Sequence, residues 1–150
     1  MKEPNSYQTN AWRNLMITSQ RLVTHIEAEL KKQRLPSLSL YDALWELEKA
    51  HPNGLRPYQL KARLLLAQYA TSRLVDKLCA LDYTVKKPDL EDGRGHLVFI
   101  TNEGRRIRSE MWAVYSSVLS DIFNPTISKE DCQTLSDILI RLRNDEPSTP

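Results

Sequence analysis

Tyr83-Thr84-Val85-Lys86-Lys87 and His96-Leu97-Val98-Phe99-Ile100 decide the fold. Both runs are of strand length and rich in β-branched and aromatic residues, while the chain on either side follows a helical period. Between them stand Pro88, Asp89, Asp92, Gly93 and Gly95, a polar stretch with turn chemistry, so the two runs form a hairpin with an extended loop. Thr101 follows at once and is placed to cap a helix, with Glu103 in its first turn, where the helix dipole favours a carboxylate.

Just before the hairpin, a helix is expected from about Gln68 to Leu81. With Leu74 at the centre of its apolar side, Ala67, Ala70, Leu78 and Leu81 share that side, and Gln68, Tyr69, Ser72, Arg73 and Asp76 lie opposite. A shorter helix precedes it, with Pro57 in its first turn, Leu60 and Leu64 inward, and an end near Leu66. Leu55 reads as a short strand or bridge after the turn His51-Pro52-Asn53-Gly54. Ser39, with Asp42 three residues on, is read as the cap of a helix carrying Leu40, Ala43, Leu44 and Leu47.

Long amphipathic helices flank this block. One runs from about Ser6 to Gln33 with Trp12, Leu15, Leu22, Val23, Ile26 and Leu30, and Leu35-Pro36 ends it. Another runs from Asn102 to Phe123 with Ile107, Met111, Val114, Val118 and Ile122, and stops at Asn124-Pro125. A last one starts from Ser128 with Asp131 and carries Leu135, Ile138, Leu139 and Leu142. The tail, residues 144–150, is expected to fray. The fold class is therefore mainly α, a winged helix-turn-helix with a β-hairpin wing. Residues 38–104 form the compact lobe, and 6–33 and 105–143 the flanking helices.

The bulk numbers fit one domain. The chain has 150 residues, 41% hydrophobic and 27% charged, which excludes general disorder. No apolar run is long enough for a bilayer, and Met1 to Asn10 lack the apolar core of a secretory signal. Cys79 and Cys132 suit neither a disulfide framework nor zinc, and the three histidines lack ligand spacing, so a cytoplasmic protein without metal or cofactor is expected. No glycine-rich phosphate loop, nucleophile elbow or metal-binding pair is present, and no enzyme is expected.

The net charge of +2 is distributed unevenly. Leu55 to Arg108 holds eleven Lys and Arg against six Asp and Glu, a net +5, and the remainder of the chain is at −3. An exposed helix fits the major groove of B-DNA, and a neighbouring hairpin reaches backbone or minor groove, so the cationic charge sits where double-stranded DNA would be met.

Leu74-Val75-Asp76-Lys77-Leu78, Lys86-Lys87-Pro88, Asp92-Gly93-Arg94-Gly95 and Leu97-Val98-Phe99-Ile100-Thr101-Asn102-Glu103-Gly104-Arg105 resemble the MarR family of bacterial transcriptional regulators. The Asp-x-Arg-Gly wing followed by a strand ending in Thr-x-x-Gly is the most specific part. One departure is Asp82-Tyr83-Thr84, where the family usually has Gly and an aliphatic pair. Since Gly commonly supplies the left-handed helix cap, the end of that helix stays open at this point.

The resemblance implies a homodimer through the flanking helices, with recognition helices in successive major grooves of a pseudo-palindromic operator. It implies that Arg94 enters the minor groove and that Asp92 orients the wing by pairing locally. It also implies repression relieved by a small aromatic effector. Peroxide-sensing relatives carry a reactive cysteine near the start of the first helix, and this chain has none there. Cys79 and Cys132 read better as small buried hydrophobes.

On the recognition helix, Gln68, Tyr69, Thr71, Ser72 and Arg73 are the candidate DNA contacts. Lys77, Lys87 and His96 join them, although these, like Lys61 and Lys86, read equally as solvated groups. Trp12, Tyr41, Trp45 and Met111 are the candidate effector pocket, with core or dimer packing as the plainer reading of the aromatic residues. Two other functions stay open: a winged helix that binds protein, and a small-molecule-binding protein without DNA affinity.

Overall fold

The computed structural model describes residues 1–65, 70–124 and 126–144. They form α1 (Ser6–Lys32), α2 (Leu38–Lys49), α3 (Pro57–Arg63), α4 (Thr71–Ala80), β1 (Thr84–Pro88), β2 (His96–Ile100), α5 (Asn102–Phe123) and α6 (Lys129–Asn144). The chain divides into two compact units, residues 1–115 and 116–150.

In the first unit the core gathers where α2, α3 and α4 meet the hairpin. Leu44, Leu47, Leu60, Leu78, Val75 and Val98 are fully buried there, joined by Leu30 of α1 and Met111 of α5. Each such aliphatic side chain contributes about 1.5–3 kcal/mol relative to an exposed one. β1 and β2 pair antiparallel, from Thr84 opposite Ile100 to Pro88 opposite His96. Leu55 forms a bridge, as the sequence suggests, and the structure supplies its partner, Val98. Its amide donates to the Val98 carbonyl at 3.0 Å and its carbonyl accepts in return at 2.8 Å. Pro57 sits in the first turn of α3.

Several boundaries differ from expectation. α2 is not capped by Ser39. Ser37 is the N-cap, Ser39 is buried inside the first turn, and the Leu38 amide donates to the Glu27 carboxylate of α1 at 2.8 Å. Asp42 does not close a capping box; its carboxylate accepts from the Leu65 amide at 2.6 Å. Tertiary partners have replaced local ones in both cases. α3 stops at Arg63 because Leu64 turns extended, and α4 begins at Thr71. Ala70 and Leu81, expected on the buried side of α4, are exposed, and Val75 is buried instead. Ala67 lies outside the described residues.

The end of α4 resolves the Asp82 question. Asp82 adopts the left-handed conformation at φ +59, the Tyr83 amide donates back to Leu78, and the Asp82 amide donates to Cys79. This is a Schellman cap built without glycine. It displaces Tyr83 from the strand, so β1 begins one residue later than expected. Thr101 then joins two elements: its hydroxyl donates to the Asp82 carbonyl at 2.6 Å and accepts the Gly104 amide at 3.0 Å.

The second unit holds the end of α5 and α6. Ser128 and Asp131 cap α6 reciprocally, the Asp131 amide donating to the Ser128 hydroxyl and the Ser128 amide to the Asp131 carboxylate, each at 3.0 Å. The Ser128 amide and hydroxyl, both donating to the Asp131 carboxylate, hold that carboxyl below its usual range. No residue of α6 is buried, and Leu135, Ile138, Ile140 and Leu142 are exposed.

Candidate nucleic-acid interface

The amphipathic pattern of α4 fixes which of its side chains meet solvent. Leu74, Val75 and Leu78 face the core, so Ser72, Arg73, Asp76 and Lys77 are exposed and Thr71 half-buried. Arg73 and Lys77, one turn apart, border a small cavity of about 140 Å³ with Ser37, Ser39 and Leu40 at the start of α2. Gln68 and Tyr69 lie outside the described residues.

The wing is tied to α4 at its root. Lys86 of β1 donates to the Asp76 carboxylate at 2.7 Å, which raises the lysine pKa, and Cys79 and Thr84 approach to 3.2 Å between sulfur and hydroxyl. At the tip, the Asp92 carboxylate accepts the Arg94 amide at 3.2 Å and the Asp92 carbonyl accepts the Gly95 amide at 3.0 Å. Asp92 thus holds backbone, and the Arg94 side chain is exposed. A β-carbon on Gly95 would stand 3.2 Å from the Asp92 carboxylate, so a larger residue would crowd this turn. Lys87 folds back, its ammonium 5.0 Å from the centre of the Phe99 ring, and His96 is half-buried opposite Pro88.

Sequence reasoning missed the partners of Arg56. Its Nε donates to Asp89 at 2.5 Å and its Nη2 to Glu91 at 3.2 Å. The Asp89 side chain is only 3% exposed, so this carboxylate is a buried anchor, whereas the sequence placed it on an open tip. The guanidinium beside it holds the Asp89 carboxyl below its ordinary pKa, against the opposing effect of burial. The partners are 33 and 35 residues apart, and no local pattern announces them.

Of the four candidate pocket residues, Tyr41 and Trp45 lie one turn apart on α2, Met111 lies on α5 and Trp12 on α1. Met111 and Tyr41 are buried, Trp12 is 63% exposed on α1, and Trp45 is partly exposed beneath Arg108 and Lys49. Arg108 in turn pairs with Glu48. Tyr41 stacks on Trp112 with ring centres 6.0 Å apart, and Tyr115 meets both rings edge-on. Burial raises the pKa of Tyr41 and of Tyr115. Among the described residues no cluster of His, Cys, Asp and Glu has metal-site geometry, and no helix is long and apolar enough to cross a membrane.

Residues 38–95, which hold α2 through the wing tip, match the sequence model of the MarR family. Over these residues the chain is similar to the MarR family. MarR-family structures also match it in fold. Sco3205 from Streptomyces coelicolor, solved in complex with DNA, superposes with a TM-score of 0.83 at 19% identity, over 99% of this chain and 93% of that one. A cysteine-to-serine mutant of MarR from E. coli, complexed with operator DNA, gives 0.78 at 18% identity over 93% and 99%. The organohalide-sensing RdhR regulator in its 2,4-dichlorophenol-bound form gives 0.79 at 20% identity over 97% and 88%. No curated protein matches the chain.

Proposed function

We propose that the chain is a homodimeric regulator of transcription that binds a pseudo-palindromic operator, with α4 in the major groove and Arg94 of the wing in the minor groove. One observation carries this reading. α4 turns Ser72, Arg73 and Lys77 outward, and the Lys86–Asp76 pair ties to that helix a wing whose arginine is exposed. Arg94 meets the negative potential of a narrow minor groove, and Arg73 offers a fork for a base edge or phosphate. Thr71 and Ser72 fit phosphate contacts at the start of α4, and Gln68 and Tyr69 are proposed as contacts from sequence alone. Lys77, Lys87 and His96 complete the proposed surface, and Asp92 orients the wing through the Arg94 amide.

The homodimer rests on exposed apolar residues, among them Tyr7, Trp12 and Met16 of α1 and Ile138 and Leu142 of α6. Control by repression, with release by a small aromatic effector, extends the reading. The ring cluster Tyr41, Trp112 and Tyr115, of which Trp112 is exposed, supports it as a place where such a molecule would stack. Selecting bound fragments from genomic DNA and assaying their release by aromatic acids and phenols tests both parts. Failure to retain any fragment defeats the DNA reading.

A second reading, a winged helix that binds protein, is favoured by Leu90 and Tyr58, which are 98% and 66% exposed. The same selection separates the two.

A further inference from the structure

The hairpin ladder ends at the Pro88–His96 pair, yet the tip that carries Arg94 lies beyond it. A two-stranded ribbon extended past its ladder is marginally stable by itself. Two attachments to the start of α3 change that. The first is the backbone bridge between Leu55 and Val98. The second is the side chain of the next residue, Arg56, which reaches the far end of the other strand and binds Asp89 and Glu91 together.

Asp89 relays this grip to the tip. Its amide donates to the Gly95 carbonyl at 3.1 Å, closing the loop one bond beyond the ladder. Its second carboxylate oxygen accepts the Glu91 amide at 3.1 Å. From Arg56 the chain of contacts runs through Asp89 to Gly95, the neighbour of Arg94. A carboxylate this buried is costly without its partner, so the pair has one low-energy geometry.

We propose that Arg56 is the positioning residue of the wing, acting on DNA through Asp89 and Arg94 without touching DNA itself. The proposal rests on the DNA-binding reading for its effect on affinity, and on the geometry alone for its effect on the wing. Both carboxylates already occupy the guanidinium, so Arg56 has little left to offer a phosphate. Its worth lies in holding the tip at a fixed offset from α4, where a misplaced arginine would miss the groove.

The test uses the full chain, with Arg56→Gln, Asp89→Asn, Arg94→Ala and the Arg56→Gln/Arg94→Ala pair. The first readout needs no DNA: backbone ¹⁵N relaxation of Gly93, Arg94 and Gly95. Order at these amides is expected to fall in both Arg56→Gln and Asp89→Asn, with the α4 amides unchanged. Unchanged tip order in the two variants overturns the proposal, whether or not the protein binds DNA.

The second readout is affinity for a selected fragment. Arg56→Gln is expected to weaken binding about tenfold in the wild-type background and less than twofold when Arg94 is already alanine. Asp89→Asn discriminates further. It removes a negative charge, so bulk electrostatics alone would tighten binding, whereas loss of the latch weakens it. Full additivity of Arg56→Gln with Arg94→Ala, or tighter binding by Asp89→Asn, overturns the positioning role. A wild-type protein that retains no DNA fragment defeats the DNA-binding reading instead, and the relaxation data still decide the latch.

Discussion

Gly104 lies so close to the Tyr83 carbonyl oxygen that a β-carbon built on it would stand 2.2 Å away. The contact joins the first turn of α5 to the residue that links α4 to β1. Because the obstacle is backbone, it cannot swing aside as a side chain would. Gly104→Ala is expected to lower stability by about 1–3 kcal/mol, the usual cost of overpacking, as read from the midpoint of urea denaturation at unchanged slope.

Asp82 holds a left-handed conformation in the cap of α4. Its backbone carbonyl accepts the Thr101 hydroxyl, so glycine retains that bond. Asp82→Gly removes the conformational penalty, offset in part by the greater freedom of glycine in the unfolded chain. A gain of about 0.5–1 kcal/mol is expected, and Asp82→Val should lose stability in the same assay.

These two positions also mark what was legible in the sequence. The hairpin, Pro57 at the start of α3, the Thr101 cap and the Ser128–Asp131 box all depend on neighbours within a few residues or on a period, and sequence carries both. Asp42 and Arg56 were illegible because their partners lie 23 and 33 residues away and leave no periodic trace. Ser39 failed as a cap for the same reason, since Glu27 of another helix serves the amide at the start of α2. At the candidate interface, the outward position of Ser72, Arg73 and Asp76 followed from the helical period around Leu74. The burial of Asp89 did not, because it requires knowing what lies beside the wing.

Arg94→Ala and Arg73→Ala should each weaken operator binding by about 1–3 kcal/mol, measured by fluorescence anisotropy at fixed moderate salt. Lys86→Ala should matter less to direct contact, since its ammonium is held by Asp76. Unchanged affinity in both arginine variants would exclude the assignment of α4 and the wing to DNA.

Acid should loosen the wing. The Asp89 carboxyl is depressed by Arg56 in the folded chain, so its contribution to stability is fully present above its unfolded pKa and is lost as pH falls through the folded one. Hydrogen exchange at Gly93 to Gly95, corrected for intrinsic rates, is expected to be constant from neutral pH down to about 4 and to rise below that. Asp89→Asn should show the faster rate already at neutral pH.

Leu22 of α1 and Leu139 of α6 are half-buried within one chain and are expected to be covered in the proposed dimer. Leu22→Asp and Leu139→Asp should shift sedimentation velocity from dimer toward monomer and reduce binding to a full palindrome. A dimer that survives both changes would place the subunit contact elsewhere.

The ion pairs of the lobe and the start of α5 bear on thermodynamics beyond folding. Among the described residues, four of the eleven Lys and Arg between Leu55 and Arg108, namely Arg56, Lys86, Arg106 and Arg108, are closed on carboxylates. Expelling a condensed counterion from the duplex takes a cation that can neutralise a phosphate, at about 0.9 units of log-log slope for each. A cation engaged at home expels none. The remaining seven therefore cap the ion stoichiometry that this stretch contributes, and ionic strength should erode complex formation less steeply than the count of basic residues implies.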